Sequence, residues 1–352
     1  MNESASKTKP GLLERLEDGP VICAEGYLFE FERRGYLQAG AFVPEVVLEH
    51  PELVAQLHRE FVHAGSDVVE AFTYYAHREK LKIIGREAEL EPINRQALAL
   101  AKEVADETGT LFAGDICNTN VYVPDEEQTH KQVRAMFEEQ VGWAIEAGVD
   151  FVIGETFSWA TEAALATEMI KEAGVPAVIT LAVHREPHTR EGWSPEEACK
   201  RLEDAGADVV GLNCIRGPQT MLPLLEKIRA TVKGHVAALP VPYRTHDEQP
   251  TFQSLEDAHY HDFPDGRPFP TALDPFVCNR YELGDFARAA YELGVSYLGV
   301  CCGAAPHHIR SVAEALGRTP PASRYTADMS KHAYLGTDPT LKKEYREFAK
   351  EL

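Results

Sequence analysis

The chain has 352 residues, of which 44% are hydrophobic and 26% are charged, as in an ordinary globular protein. Its formal net charge of −21 at pH 7 argues against nucleic acid and anionic membrane surfaces as partners, because both bind basic patches. The sequence contains no apolar run of about 18 residues that would span a bilayer. The first residues, MNESASKTKPG, lack the apolar core of a signal peptide, and we therefore expect a cytoplasmic enzyme.

Eight short apolar runs predict buried β-strands, because a continuous apolar run of about five residues is typical of a strand covered on both faces. In chain order they lie within VICAEGY (21–27), AGSDVVEAF (64–72), TLFAGDIC (110–117), AGVDFVIGET (147–156), AVITLAV (177–183), AGADVVGLNC (205–214), HVAALPV (235–241) and LGVSYLGVCCG (293–303). Four of the runs follow a helix-like segment and a glycine of the kind that ends helices. Eight such units predict an α/β fold, a (β/α)8 TIM barrel with its active site at the carboxyl ends of the strands. A doubly wound open sheet is the alternative.

A long loop follows the seventh strand, over about residues 243–280, with prolines at 250, 264, 268, 270 and 275. Its length and position predict a lid or binding segment beside the barrel mouth. Beyond the barrel, LKKEYREFAKEL predicts a C-terminal helix with one apolar face formed by Leu341, Tyr345, Phe348 and Leu352. We divide the chain into a barrel domain, 1–318, and a tail, 319–352. The tail packs either on its own subunit or on a neighbouring subunit of a homo-oligomer.

The seven cysteines are odd in number, and the chain is large enough to fold without disulfides, so clustered thiols indicate metal ligands or buried residues. Cys214 lies at the end of the sixth predicted strand, and Cys301 and Cys302 lie at the end of the eighth. Both strand ends face the barrel mouth, and Gly303 permits the turn that would bring adjacent thiols to one ion. We interpret the remaining four as small buried apolar residues, namely Cys23, Cys117, Cys199 and Cys278.

Three thiolates on Zn²⁺ leave the fourth tetrahedral position open, as in catalytic zinc sites. The negative charge of three thiolates makes the zinc ion a poor source of hydroxide. A metal ion held by soft thiolates favours a further sulfur ligand at its open position. A substrate thiol bound there would be deprotonated and still nucleophilic, which predicts sulfur alkylation. A strained vicinal disulfide is the alternative for Cys301 and Cys302. We interpret His307 and His308, at the start of the next helix, as local packing residues and not as ligands.

GLNC (211–214) with GVCCG (299–303) resembles the paired motifs of the zinc-dependent homocysteine S-methyltransferases, whose fold is a (β/α)8 barrel. Further stretches extend the likeness over nearly the whole chain and are most similar to the betaine-dependent branch of the family: FERRGYLQAG (31–40), EHPELVAQLHREFVHAGS (49–66), FTYYA (72–76), CCGAAPHHIR (301–310), PPAS (320–323) and KKEY (342–345). The resemblance implies methyl transfer from a methylated onium donor to homocysteine, giving methionine. Its implied zinc ligands are Cys214, Cys301 and Cys302.

The resemblance also implies substrate-binding residues. Glu155 would hold the amino group of homocysteine. Asn213, which precedes the ligand Cys214, and Gly26 would also bind the substrate. Phe42, Tyr74 and Tyr75 would form an aromatic site for the donor, since aromatic faces attract quaternary ammonium groups.

Two departures from the family pattern affect the substrates. Similar family members carry Asp-Gly-Gly after the first strand, where this chain has Ala24, Glu25 and Gly26, so the pose of homocysteine against Glu25 stays open. Thr156 stands in place of a tyrosine close to the zinc, which enlarges the pocket and leaves the donor open between a betaine-like quaternary ammonium and a sulfonium such as S-methylmethionine or dimethylsulfoniopropionate. A non-catalytic zinc- or onium-binding barrel is the alternative from another class. A corrinoid-linked methyltransferase is disfavoured, because the chain has no second domain to carry that cofactor.

Overall fold

The computed structural model describes residues 9–259 and 267–351. At its centre lies one sheet of eight parallel strands: β1 (Val21–Ala24), β2 (Val68–Glu70), β3 (Leu111–Cys117), β4 (Phe151–Phe157), β5 (Ala177–Leu181), β6 (Val209–Asn213), β7 (His235–Leu239) and β8 (Tyr297–Val300). Their hydrogen-bonded order is β1-β8-β7-β6-β5-β4-β3-β2. Between β1 and β2, the amide of Asp67 donates to the carbonyl of Ile22 over 2.7 Å, which brings the two ends of the sheet together. The predicted (β/α)8 barrel is confirmed.

The strands are buried on both faces, as the continuous apolar runs predicted. Every strand residue is buried except His235, which is half-buried. Two strand glycines allow neighbouring backbones to approach closely: a Cβ on Gly211 would lie 2.0 Å from the carbonyl oxygen of Ala237, and one on Gly299 would lie 1.9 Å from that of Cys23. These glycines therefore keep the barrel narrow enough for side chains to fill it.

Helices surround the barrel and extend beyond it: α1 (Leu12–Asp18), α2 (Tyr27–Arg33), α3 (Val46–Glu49), α4 (Pro51–Ala64), α5 (Arg78–Ile83), α6 (Leu90–Thr108), α7 (Glu127–Ala147), α8 (Ala160–Glu172), α9 (Pro195–Asp204), α10 (Pro218–Thr231), α11 (Arg280–Glu292), α12 (Pro306–Ala315) and α13 (Lys343–Phe348). The four glycines of the recurring sequence phrase all have positive φ, as the predicted helix-ending turns require: Gly65, Gly148, Gly206 and Gly294. Among the described residues, no helix combines the length and the apolar character needed to cross a bilayer.

The long loop after β7 is described on both sides of residues 260–266, which lie outside the described residues. Its described parts contain two short 3-10 turns, Phe252–Ser254 and Asp274–Phe276. Tyr243 and Val277 form an antiparallel bridge that closes its base. The rings of Phe252 and Phe269 meet edge to face, 4.8 Å apart. The loop is therefore held together by its own aromatic contacts.

The C-terminal helix is shorter than the sequence pattern predicted. α13 begins at Lys343, so Leu341 precedes the helix and does not share its face, contrary to the prediction. The reason is local: the carboxylate of Asp338 accepts hydrogen bonds from the amide and the hydroxyl of Thr340, and this turn competes with helix formation. Leu352 lies outside the described residues.

Candidate active site

The thiols of Cys214, Cys301 and Cys302 meet at the carboxyl ends of β6 and β8, with each pair of sulfur atoms within 4.8 Å. Two consecutive carbonyls at the end of β7 hold both segments: the amide of Cys214 donates to Leu239 and that of Cys301 donates to Pro240, each over 2.9 Å. β8 ends before the cysteine pair, so the alternation of side chains does not separate the two thiols. All seven cysteines are free thiols, so no vicinal disulfide is present.

The three thiols form a hydrogen-bonded cluster that stabilises one negative charge. Hydrogen bonds from Cys301 and Cys302 lower the pKa of Cys214 well below its ordinary value. Burial raises the pKa of Cys301, and the hydrogen bond to Cys214 raises that of Cys302. A thiolate with two further thiols beside it is a set of donors able to hold a thiophilic metal ion, because such ligands bind in their deprotonated form.

A cavity of about 480 Å³ opens above the thiols, and Cys214 and Cys302 form part of its wall. The predicted donor residues Phe42, Tyr74 and Tyr75 line it, as does Thr156. The rings of Tyr74 and Tyr75 lie 4.2 Å apart. Sequence reasoning missed further aromatic side chains in the wall, two of which come from the loop after β7: Phe29, Tyr122, Trp159, Phe252 and Phe269.

Four buried carboxylates lie beside the thiols, around a second, much smaller cavity: Glu25, Glu70, Asp115 and Glu155. Each is at most 6% exposed. Burial, together with the charge of neighbouring carboxylates, raises the pKa of each of them. Within the described chain, none of the four forms an ion pair with a basic side chain, and neither carboxylate oxygen of Glu70 has a hydrogen-bond partner. The small cavity is therefore an acidic pocket without a counter-charge from the protein.

Sequence reasoning found Glu25 and Glu155 but missed Glu70 and Asp115. The available signal was their position, since each is a lone acid in an apolar strand run, VVEAF for Glu70 and FAGDIC for Asp115. The oxygens of Glu70, Asp115 and Glu155 lie within 4.8 Å of one another, as do the ligand atoms of Glu25, Glu155 and Cys301. The acidic pocket is therefore continuous with the thiol cluster.

Asn213 connects several of the predicted site residues. Its side-chain nitrogen approaches Oε2 of Glu155 at 2.5 Å, Oγ1 of Thr156 at 2.9 Å and Oε2 of Glu25 at 3.2 Å. Its side-chain oxygen accepts a hydrogen bond of 3.0 Å from the amide of Thr156. Gly26 lies at neither cavity wall; a Cβ there would lie 2.6 Å from the carbonyl oxygen of Ala304, so Gly26 allows close packing below the cysteine pair.

Backbone strain is concentrated at the larger cavity. In the described part of the chain, the non-glycine residues with positive φ are all wall residues of this cavity: Phe42, Tyr75, Asn120, Thr156, Cys214 and Ile215. Thr156 lies where the register between β4 and β5 shifts, and Thr156 and Ile215 are β-branched residues, for which positive φ is especially unfavourable. Such residues persist where the surrounding structure imposes them, and they cluster at functional sites.

The two histidines beside the cysteine pair do not join the thiol cluster. Nδ1 of His308 accepts a hydrogen bond of 3.0 Å from the amide of Ala305 at the start of α12. Burial lowers the pKa of His308 to about 3, so its ring is neutral at physiological pH. This local role agrees with the interpretation made from the sequence.

Comparison with known proteins places these features in a family. The family model for homocysteine S-methyltransferase matches residues 26–316. Betaine–homocysteine S-methyltransferase 1 of Xenopus laevis is 39% identical over 318 residues, which cover 88% of this chain and 76% of that protein. S-methylmethionine–homocysteine S-methyltransferase of Mus musculus is 35% identical over 352 residues, covering 97% and 92%. The metallated form of the homocysteine methyltransferase MmuM of Escherichia coli has a similar fold, with a TM-score of 0.65 at 18% identity, covering 85% of this chain and 98% of that one.

Proposed function

The chain belongs to the homocysteine S-methyltransferase family, and on that premise we propose that it transfers a methyl group from a small methylated onium compound to the thiol of homocysteine, giving methionine. The observation that carries this proposal is the meeting of three thiols, two of which, Cys214 and Cys302, lie in the wall of an aromatic cavity. A bond forms between sulfur and the methyl carbon as the bond from that carbon to the onium nitrogen or sulfur breaks. The leaving group keeps the bonding pair, so its onium atom becomes neutral. The thiol proton of homocysteine is lost to solvent before the transfer, so the displacement itself needs no general base.

We propose zinc as the metal, held by Cys214, Cys301 and Cys302. Three Zn–S bonds of about 2.3 Å in a tetrahedron require sulfur atoms roughly 3.8 Å apart, and the three sulfurs, all within 4.8 Å of one another, are close enough to converge on one ion. When bound, zinc would keep the homocysteine thiol deprotonated and nucleophilic. The protein's own contribution is a thiol set that already stabilises negative charge at Cys214.

The acidic pocket would bind the ammonium group of homocysteine. Glu155 and Glu25 lie next to Cys301, and both share the side-chain amide of Asn213. An ammonium among buried carboxylates supplies the counter-charge that the protein itself does not provide. Holding the amino group beside the thiol cluster would place the substrate sulfur at the metal, and such alignment lowers the barrier to displacement.

The aromatic cavity would bind the donor. A methylated onium group has no proton to donate, but aromatic faces attract its positive charge by about 0.5–2 kcal/mol each, and Phe42, Tyr74 and Tyr75 supply rings to the cavity wall. We propose a betaine-like quaternary ammonium as the donor, with a sulfonium compound as the second candidate. Both kinds of donor appear in the names of the relatives.

The test is a methionine assay with homocysteine and each donor in turn: glycine betaine, S-methylmethionine and dimethylsulfoniopropionate. The zinc-loaded protein should form methionine with at least one donor, and the chelated protein should form none until zinc is returned. A protein that binds metal and onium compounds but yields no methionine with any of them is the non-catalytic alternative, and this result would reject the proposal.

We also propose that the enzyme is a cytoplasmic homo-oligomer assembled through the tail, residues 319–352. Free thiols at every cysteine suit a reducing compartment. The tail carries a concentration of exposed large apolar side chains: Tyr325, Met329, Tyr334, Leu335, Tyr345 and Phe348. Such side chains are commonly covered by a partner.

A further inference from the structure

The wall of the larger cavity carries two basic side chains among the described residues, His184 and Arg190, both in the loop after β5. The acidic side chain in the same wall, Glu162, is already engaged, because it accepts hydrogen bonds from the amide and hydroxyl of Thr119 at 2.8 and 2.6 Å. Within the described chain, the guanidinium of Arg190 has neither a hydrogen bond nor an ion pair. The cavity therefore combines aromatic walls with a positive charge that has no partner.

The loop that carries these residues is fixed in place from two sides. The amide of Arg190 donates to the carbonyl of Ser158 over 2.9 Å, and Nε2 of His184 lies 2.9 Å from the hydroxyl of the same serine. Arg216, which is 6% exposed, donates to the carbonyls of Val183, His184 and Arg185 over 3.2, 2.5 and 2.9 Å. These contacts fix the backbone from which both basic side chains extend, so binding a ligand needs no ordering of this part of the loop.

Aromatic rings attract an onium group but do nothing for a carboxylate, whereas a guanidinium is suited to bidentate carboxylate binding. We propose that Arg190, with His184 beside it, binds a carboxylate on the methyl donor. The donor is then a zwitterion that carries its onium centre and its carboxylate in one molecule, and it is not a simple cation. This inference rests on the proposed methyl transfer and assigns the residue that recognises the carboxylate shared by the candidate donors.

The carboxylate of homocysteine is the competing ligand for Arg190, and the two cavities separate these possibilities. The amino and carboxylate groups of homocysteine share one carbon atom, so they stay close together. The acids proposed for its ammonium, Glu25 and Glu155, line the small acidic pocket and not the larger cavity. Arg190 lines the larger cavity, is exposed at its rim and is absent from the wall of the acidic pocket. The position of Arg190 therefore favours the carboxylate of the donor, and not that of homocysteine, as its ligand.

The test compares the variant Arg190→Gln with Arg185→Gln, which removes an exposed arginine of the same loop that does not line the cavity. Calorimetry would measure the binding of glycine betaine, dimethylsulfoniopropionate and the amide of glycine betaine. The amide keeps the positive onium group but lacks the negative charge of the carboxylate. Loss of a charged hydrogen-bond pair should weaken binding of both zwitterions about 10- to 100-fold, with the amide nearly unaffected. Arg190→Lys should recover part of the loss, and Arg185→Gln should match the wild type.

The inference fails if Arg190→Gln weakens the amide and the zwitterions equally, if the wild type binds the amide as tightly as glycine betaine, or if the Michaelis constant for homocysteine rises in place of that for the donor. Failure of the proposed function is a separate result. A wild type that forms no methionine rejects methyl transfer, while the calorimetric comparison still decides whether Arg190 recognises a carboxylate. Unchanged thermal unfolding of each variant shows that the fold is intact.

Discussion

The side-chain nitrogen of Asn213, on β6, lies 2.5 Å from Oε2 of Glu155, on β4, so this hydrogen bond reaches past the intervening strand β5. The residue after Asn213 is Cys214, one of the three clustered thiols. Two adjacent residues at the end of β6 thus belong to the two parts of the site: Asn213 contacts the acidic pocket, and Cys214 belongs to the thiol cluster. The distance between these two parts of the site is therefore set by the barrel and not by a mobile loop.

Replacing Asn213 with alanine should disturb the acceptor end of the site. Glu155 and Glu25 lose a shared donor, and leaving buried acceptors unpaired costs about 1–3 kcal/mol of unfolding free energy. We expect the Michaelis constant for homocysteine to rise more than that for the donor, as measured by steady-state methionine formation. Asn94→Ala is the control, because Asn94 is equally buried but donates to the carbonyls of Ala76 and Leu90. If both variants leave the Michaelis constants unchanged, Asn213 has no role in binding the acceptor.

Replacing Cys302 with serine should remove both bound metal and turnover. A serine hydroxyl is a much weaker ligand than a thiolate, since it does not deprotonate readily. Elemental analysis of the purified protein would measure the metal, and the methionine assay would measure the activity. The matched variant Cys199→Ser changes a buried thiol on α9 and should keep both. Full activity in a metal-free Cys302→Ser protein would remove the basis of the proposed chemistry.

Glu70 should make the protein less stable as the pH rises. Burial, and then the charges of Glu25, Glu155 and Asp115, raise the pKa of Glu70 well above its ordinary value, so the folded state holds a proton that the unfolded state releases above about pH 4.5. Stability is therefore lost as the pH rises from about 4.5 through the folded-state pKa. A glutamine cannot ionise, and its amide can donate to the free oxygens of neighbouring carboxylates.

We therefore expect Glu70→Gln to be more stable than the wild type at pH 8, with a smaller difference at pH 5. Denaturant unfolding at a series of pH values would measure this difference. Glu138→Gln, at an exposed position on α7, should follow the wild type. Parallel pH curves for Glu70→Gln and the wild type would show that Glu70 does not titrate differently in the folded protein.

A charge placed on the apolar surface of the tail should prevent assembly. Leu335 is 60% exposed, and Leu335→Glu would put a carboxylate into the proposed contact between subunits. Light scattering should then report a smaller species than the wild type, with the fold of the barrel retained. Ile83→Glu is the matched control, because Ile83 is 67% exposed but lies on α5, outside the tail. An unchanged mass for Leu335→Glu would place the interface elsewhere or rule out an oligomer.

The barrel and the meeting of the three thiols could be predicted because both follow from local signals. Continuous apolar runs mark strands buried on both faces, and parallel strands present their carboxyl ends at one side. The acidic pocket was harder to predict. Whether Glu70 and Asp115 point into the barrel depends on the register of β2 and β3, and a shift of one residue would turn each side chain the other way.

Other parts of the site depend on contacts that are distant in sequence. The position of Arg190 follows from the hydrogen bond of its amide to Ser158, and the start of the same loop is held by Arg216; no local sequence pattern predicts these contacts. The tail shows the opposite case, in which a helical apolar pattern was present but the turn at Asp338 delayed the start of the helix.

The left-handed wall residues carry backbone strain that the burial of their side chains offsets. Glycine adopts positive φ without steric cost, so glycine at Thr156, Cys214 or Ile215 would relieve a strain of roughly 1 kcal/mol per residue. Each such change would also delete a side chain that shapes the cavity or joins the thiol cluster. Because these side chains are also buried, their loss would cost more stability than the relief of strain returns, so a laboratory selection for thermal tolerance would keep them and leave the catalytic mouth intact.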